Sequence, residues 1–236
     1  MENIGHDAVL SLSTEGFSTA LQSFKDSWQL LTALSRSDGD GRTVIHYCAA
    51  YKRSDILSVI TNSMGVKEIV GLLSNTDVVG WTPLHWSCSF NDTNSFRVML
   101  RYLSQDMRYM LLQKTDRMDN TALHVAVSNG HQAILAAILD AVSEDQWINL
   151  LHMAEFRRMN VVQFAAYWGK RSAIEVIKDH TLEDFWLDLV STPLPCFPRY
   201  DSAEDFAYQR AIHWIDEYRT AAKIQKVLKT TDIASE

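Results

Sequence analysis

One short pattern returns four times at a fixed interval, and that period constrains the fold more than any other feature. Thr43-Val-Ile-His46 recurs as Thr82-Pro-Leu-His85, as Thr121-Ala-Leu-His124 and, altered, as Asn160-Val-Val-Gln163, each 39 residues after the last. Upstream, at constant distance, stands an acidic residue: Asp38, Asp77, Asp116 and Glu155. Downstream, Leu57, Phe96, Leu135 and Ile174 share one register, Ile60, Met99, Ile138 and Ile177 a second, and Leu72, Leu111, Leu150 and Leu189 a third. A chain with this translational symmetry does not gather distant segments around one core. Each unit buries its apolar face against the copy before and the copy after it.

Each unit reads the same way. Asp77-Val-Val-Gly80 has the residue types of a tight turn. Thr82 offers a capping hydroxyl, and Pro83 suits the first turn of a helix, where its missing N–H costs nothing. The box therefore predicts a short helix, broken near Lys52, Asn91, Gly130 and Gly169. Gly is best there because it tolerates the left-handed conformation, Asn is next, and Lys is a compromise. A second helix follows, with apolar residues at helical spacing such as Leu57, Val59 and Ile60. A third segment, at 66–73, 105–112, 144–151 and 182–190, also has helical apolar spacing.

The box resembles the ankyrin repeat, whose fingerprint is Thr-Pro-Leu-His-x-Ala at a period of about 33 residues. The period here is longer, and the surplus falls after the second helix. The resemblance covers roughly residues 36–190. It implies an all-α, ankyrin-type helical solenoid with short turn or hairpin loops. Cys48 and Ser87 stand where the family prefers Ala, and both are small enough for close helix packing. The last unit departs further, with Asn160 and Gln163 for Thr and His, and Glu155 and Arg158 for Asp and Gly. An irregular last hairpin is expected.

The array is expected to occupy residues 1–198, with a divergent first unit at 1–37 and four repeats at about 38–190; residues 199–236 form a C-terminal capping helix and tail. In the first unit, a helix over Ala8–Leu12 and a break at Thr14-Glu-Gly16 precede helices within 17–34, where Trp28, Leu30, Leu31 and Leu34 imitate the third segments. Terminal repeats are atypical because one face meets water. Pro193-Leu-Pro-Cys-Phe-Pro198 ends the array. Ser202-Ala-Glu-Asp205 opens a helix in the manner of a capping box, running to about Lys229. Its apolar face is Ala207, Ala211, Trp214, Tyr218, Ala221, Ala222 and Leu228, with Phe206, Ile215 and Val227 at the margins. The tail at 230–236 is expected to fray.

Composition narrows the function. A net charge of −7 over 236 residues argues against sequence-independent nucleic-acid binding and against attraction to anionic membranes. No apolar run reaches transmembrane length, and the start has no secretory pattern. Cys48, Cys88 and Cys196 are too scattered for a disulfide framework, so an intracellular, cytoplasmic setting is expected. Ala221-Ala-Lys-Ile-Gln225 resembles the opening of a calmodulin-binding motif but lacks its later basic residues, so calmodulin is not an expected partner.

His46, His85 and His124 invite a metal or nucleophilic reading. They sit one repeat apart, too far to share one ion. The resemblance implies instead that they bond backbone groups and tie neighbouring turns. No phosphate loop, zinc-protease helix or nucleophile elbow is present. No catalytic residue, metal ligand or cofactor is assigned, and the chain is read as non-enzymatic. Trp28, Trp147 and Trp186, in the third segments, are expected in the core.

The resemblance further implies that hairpin tips and the exposed side of the first helices line a concave face. The candidate partner-binding residues are Arg42, Tyr51, Val78, Val79, Trp81, Phe90, Arg117, Met118, Asn120, Phe156, Arg157, Met159, Tyr167 and Trp168. Aromatic residues, Met and Arg dominate this set, as at protein-binding hot spots. Trp86 could face the groove or the next helix. The expected function is a non-catalytic scaffold that recognises an unidentified partner protein. The alternative is an accessory array that anchors or inhibits a catalytic or channel partner, including a host-directed bacterial effector.

Overall fold

A computed structural model describes residues 9, 11–155, 157–195 and 202–233. Those residues form fifteen helices and no strand. The first unit supplies α1 (Thr14–Gln22) and α2 (Ser27–Leu34). The four units supply three helices each: α3 (Val44–Ala50), α4 (Ser54–Asn62) and α5 (Val66–Leu73); α6 (Pro83–Ser89), α7 (Thr93–Leu100) and α8 (Gln105–Leu112); α9 (Ala122–Asn129), α10 (Gln132–Leu139) and α11 (Glu144–His152); α12 (Val161–Tyr167), α13 (Arg171–Asp179) and α14 (Glu183–Ser191). The long α15 (Ser202–Ile233) closes the chain.

The helices stack in three columns. The first helices α3, α6, α9 and α12 run in unbroken contact, as do the second-column helices α1, α4, α7, α10 and α13. In the third column α2 meets α5, α5 meets α8, and α11 meets α14. Gln146 Nε2 donates to Asp106 Oδ1 at 3.1 Å and joins α11 to α8. None of the repeat helices exceeds 9 residues. Helices this short do not persist alone, so their stability comes from packing. The core is the sequence register itself: all twelve downstream apolar residues, from Leu57 to Leu189, are 2 % exposed or less.

Lys52, Asn91, Gly130 and Gly169 all have positive φ, so each first helix ends where the sequence predicts a break. Two expectations for the first unit need correction. Thr14-Glu-Gly16 is a helix start, because Ser13 caps it by accepting the Gly16 N–H at 3.1 Å. Trp28 is 73 % exposed, whereas Trp147 and Trp186 are buried. Trp28 stands at the register of Lys67, Asp106, Asp145 and Asp184, which is exposed in every unit, whereas Trp147 and Trp186 share the buried register of Leu30 and Ile69.

Helix α15 packs against α12 and α14. Ala211, Ile215, Tyr218 and Ala222 are its buried line, so Ile215 is central rather than marginal, and Ala221 is exposed. Phe206, Val227, Leu228 and the tail fall outside what is described for side chains. The cap repeats a device used inside the array. Arg53, beside α4, donates to the carbonyls of Val9 and Leu12, and His131, beside α10, bonds the Cys88 carbonyl at 2.8 Å. Arg210 of α15 likewise donates to Ala166 and Tyr167 at the end of α12. Arg219 bonds the Val190 carbonyl at 2.9 Å, and Lys226 pairs with Asp184 at 2.9 Å.

Candidate functional site

The hairpins before each first helix are built by their acidic residue. Asp38 Oδ1 accepts the N–H groups of Asp40 and Arg42, Asp77 Oδ1 those of Val79 and Trp81, and Asp116 Oδ1 those of Met118 and Asn120, all at 2.8–3.0 Å. A short carboxylate folds back onto its own turn in this way. Neighbouring hairpins then bond one another: the Val78 N–H donates to the Asp40 carbonyl at 2.9 Å, and the Arg117 N–H to that of Val79 at 3.1 Å. Gly80 has φ +88°, and a Cβ there would meet the Arg117 nitrogen and Asp116 Cα at 3.0 Å. The last hairpin is looser, as expected. Glu155 accepts the Met159 N–H at 3.4 Å, and Arg158 takes the positive φ. Burial pushes the Glu155 carboxyl up, against the hydrogen bonds from Arg157 and Met159.

The box histidines are struts. His46 Nδ1 accepts the Thr43 N–H at 3.0 Å, which places its proton on Nε2, and Nε2 donates to the Trp81 carbonyl at 3.0 Å. His85 repeats this with Thr82 at 3.2 Å and Asn120 at 3.1 Å. His124 keeps the bond to Thr121 at 3.2 Å, but its buried Nε2 lies beside the Met153 carbonyl of its own unit and makes no bond to the next hairpin among the described residues. Burial lowers all three imidazoles, those of His46 and His124 to about 4. In the last unit, Gln163 accepts the Asn160 N–H at 3.1 Å and donates to the Thr192 carbonyl at 2.8 Å. The amide thus ties its own unit shut.

This framework holds an aromatic surface. Tyr51, Phe90 and Trp168 occupy one register, just past the ends of α3, α6 and α12, and are 45 %, 44 % and 48 % exposed. Beneath them, Tyr47, Trp86 and Phe164 occupy the position after the box histidine or its glutamine. Tyr47 stacks on Tyr51 at 6.3 Å, Trp86 on Phe90 at 5.9 Å, and Phe164 meets Trp168 edge-on at 6.1 Å. The turn acids pin this inner row: the Tyr47 hydroxyl donates to Asp38, and Trp86 Nε1 to Asp77 at 3.0 Å. Burial raises the Asp38 carboxyl, but hydrogen bonds from Tyr47 and from the Arg42 and Asp40 backbone outweigh it and lower its pKa. The Arg42 guanidinium lies 5.2 Å from the Trp86 ring centre and pairs with Asp40 at 3.0 Å. Arg157 lies 5.0 Å from that of Tyr167.

The third unit interrupts the row with Val125 and Asn129. Asp116, lacking an aromatic partner in its own unit, accepts Trp81 Nε1 from the preceding hairpin at 3.0 Å.

Among the sequence-assigned residues, Val78, Val79, Met118 and Arg117 are exposed at hairpin tips, and Arg42 and Arg157 are half-buried beside aromatic rings. Two assignments are corrected: Met159 is fully buried and Tyr167 is 7 % exposed, because both pack into the last unit. Trp81 and Asn120 are half-buried and bonded to Asp116, so both brace the hairpins. Phe156 lies outside the described residues. Tyr47, Trp86 and Phe164 were legible only as a register, the residue after each box position. Among the described residues, no group of three His, Cys, Asp or Glu side chains could hold a metal ion, and no helix is long and apolar enough to cross a membrane.

Residues 61–150 match the family model described as ankyrin repeats (3 copies). No curated protein matches the chain.

Proposed function

We propose that the chain, whose residues 61–150 match the ankyrin-repeat family, is an ankyrin-type, non-catalytic scaffold that binds a partner protein through its hairpin and first-helix face. Ankyrin repeats are generally protein-interaction modules. The observation that carries the reading is the outer aromatic row. Tyr51, Phe90 and Trp168 are each close to half exposed, yet each ring already rests on an inner ring. Such side chains lose little freedom on binding, and exposed aromatic area is what a hot spot uses. Val78, Val79 and Met118 extend the surface at the tips, and Arg42, Arg117 and Arg157 orient it. Residues 1–198 form the binding array and 199–236 its cap. The negative net charge favours protein over nucleic acid. Calmodulin is not proposed as a partner, because Ala221-Ala-Lys-Ile-Gln225 lacks the later basic residues of its target motif. The buried free thiols of Cys48 and Cys88 suit an intracellular, cytoplasmic setting.

The test is capture from lysate by the wild-type chain beside a Phe90→Ala, Trp168→Ala variant. Each loss is expected to cost about 2 kcal/mol if both rings are hot spots. A partner retained equally by both chains would sink this reading.

A further inference from the structure

A second concavity lies between the second and third units, lined by α7, α8 and α10 and by no hairpin or first-helix residue. It encloses about 370 Å3. Its floor is apolar and buried: Phe96, Leu100, Ala137 and Ala141. α10 and the turn after it contribute only methyl groups, those of Ala137 and Ala141, to this floor. The rim carries Arg97, Arg101, Arg108 and Asp140.

The three guanidiniums are unequal. Arg97 pairs with Asp140 at 2.8 Å, and both side chains are more than half exposed, so this pair opens at little cost. Arg108 Nε donates to the Leu100 carbonyl at 3.1 Å, which fixes the guanidinium plane, and its two terminal nitrogens have no hydrogen-bond partner among the described residues. Arg101 has its guanidinium carbon 5.8 Å from the Tyr102 ring centre and no carboxylate partner among the described residues. The rim thus carries two positive charges more than it balances, in a chain whose net charge is −7. The repeat does not require this. One unit further on, Arg97 becomes Ala136 and Arg101 becomes Asp140; two units on, they become Glu175 and Asp179.

We propose that this cleft binds a phosphate monoester carried on an apolar or aromatic group. A dianion matches the unbalanced charge. The planar forks of Arg101 and Arg108 suit its oxygens, and the apolar floor receives the carrier. Asp140 is the internal anion that already occupies the rim and competes with the ligand. The site stands apart from the aromatic face and does not depend on the function assigned to that face.

Calorimetric titration of the full chain with phenyl phosphate, at fixed ionic strength, tests it. Saturable one-to-one binding is expected, weakened about ten-fold or more in an Arg101→Gln, Arg108→Gln variant that circular dichroism shows to be folded. Asp140→Asn is expected to bind a few-fold more tightly, a gain that misfolding does not imitate. Trp28→Ser, outside both the cleft and the aromatic face, is expected to leave the affinity unchanged. A short peptide bearing phosphotyrosine, titrated alongside, separates the sources: tighter binding than phenyl phosphate assigns a phosphorylated side chain, and equal binding assigns a free ester. Absence of saturable binding by either probe, or affinity unaltered by the arginine substitutions, overturns the proposal.

Discussion

Acid should loosen this array well before its carboxylates titrate, and the box histidines set the size of the effect. His46 and His124 are held near pKa 4 by burial, whereas an unfolded imidazole titrates near 6.5. The folded chain keeps these rings neutral, while the unfolded chain takes up protons as pH falls through about 6.5. The stabilisation is therefore complete above that value and drains away toward pH 4. From pH 7 to pH 5, the span of about 1.5 pH units below 6.5 corresponds to about 2 kcal/mol per histidine, or about 4 kcal/mol for the pair. His85 shifts in the same direction and adds to this. Such a loss is a large share of an ordinary folding free energy. Urea unfolding followed by circular dichroism at pH 7 and pH 5 measures it. The last unit supplies the control, since Gln163 makes the capping bond of a box residue, and a second bond within its own unit, without a titrating ring. A His46→Gln, His85→Gln, His124→Gln variant should retain most of its stability at pH 7 and lose most of the pH dependence. A wild-type midpoint equal at the two pH values, or a variant that falls as steeply as wild type, would refute the reasoning.

Gly80→Ala combines a positive φ with backbone atoms 3.0 Å from the new methyl group, and should destabilise by about 1–3 kcal/mol, read as a lowered Tm. Arg210→Ala removes the tie between the capping helix and the end of α12; a cost of about 1–3 kcal/mol is expected, with faster amide exchange confined to α12 and α15. Trp28→Ser should change stability by no more than about 0.5 kcal/mol, because the ring is 73 % exposed; a larger loss would show that it packs on something.

The fold was legible because translational symmetry removes ambiguity. Leu57, Phe96, Leu135 and Ile174 can share a register over four units only if their environments repeat, and all four are fully buried. Lys52 and Asn91 were legible as helix ends for the same reason, although Lys alone signals no left-handed residue. The face was less legible because the period says which residues are equivalent but not which atoms they meet. Met159 is apolar and next to a tip, yet it is fully buried, while Arg42, Trp81 and Asn120 at the same register are half-buried. Trp81 looked free until Val125 removed the competing partner of Asp116. The arginine cleft left no trace in the period, since Arg97 and Arg101 belong to one unit alone.

The central claim is that the partner rests on the outer aromatic row. Site-specific photocrosslinking tests it most directly, with a benzophenone side chain placed at Phe90 in one chain and at Phe185, 40 % exposed on the third column, in another. The account predicts a discrete covalent adduct from position 90 and none of that mass from position 185. An adduct from position 185 alone would contradict it and move the interface to the outer column.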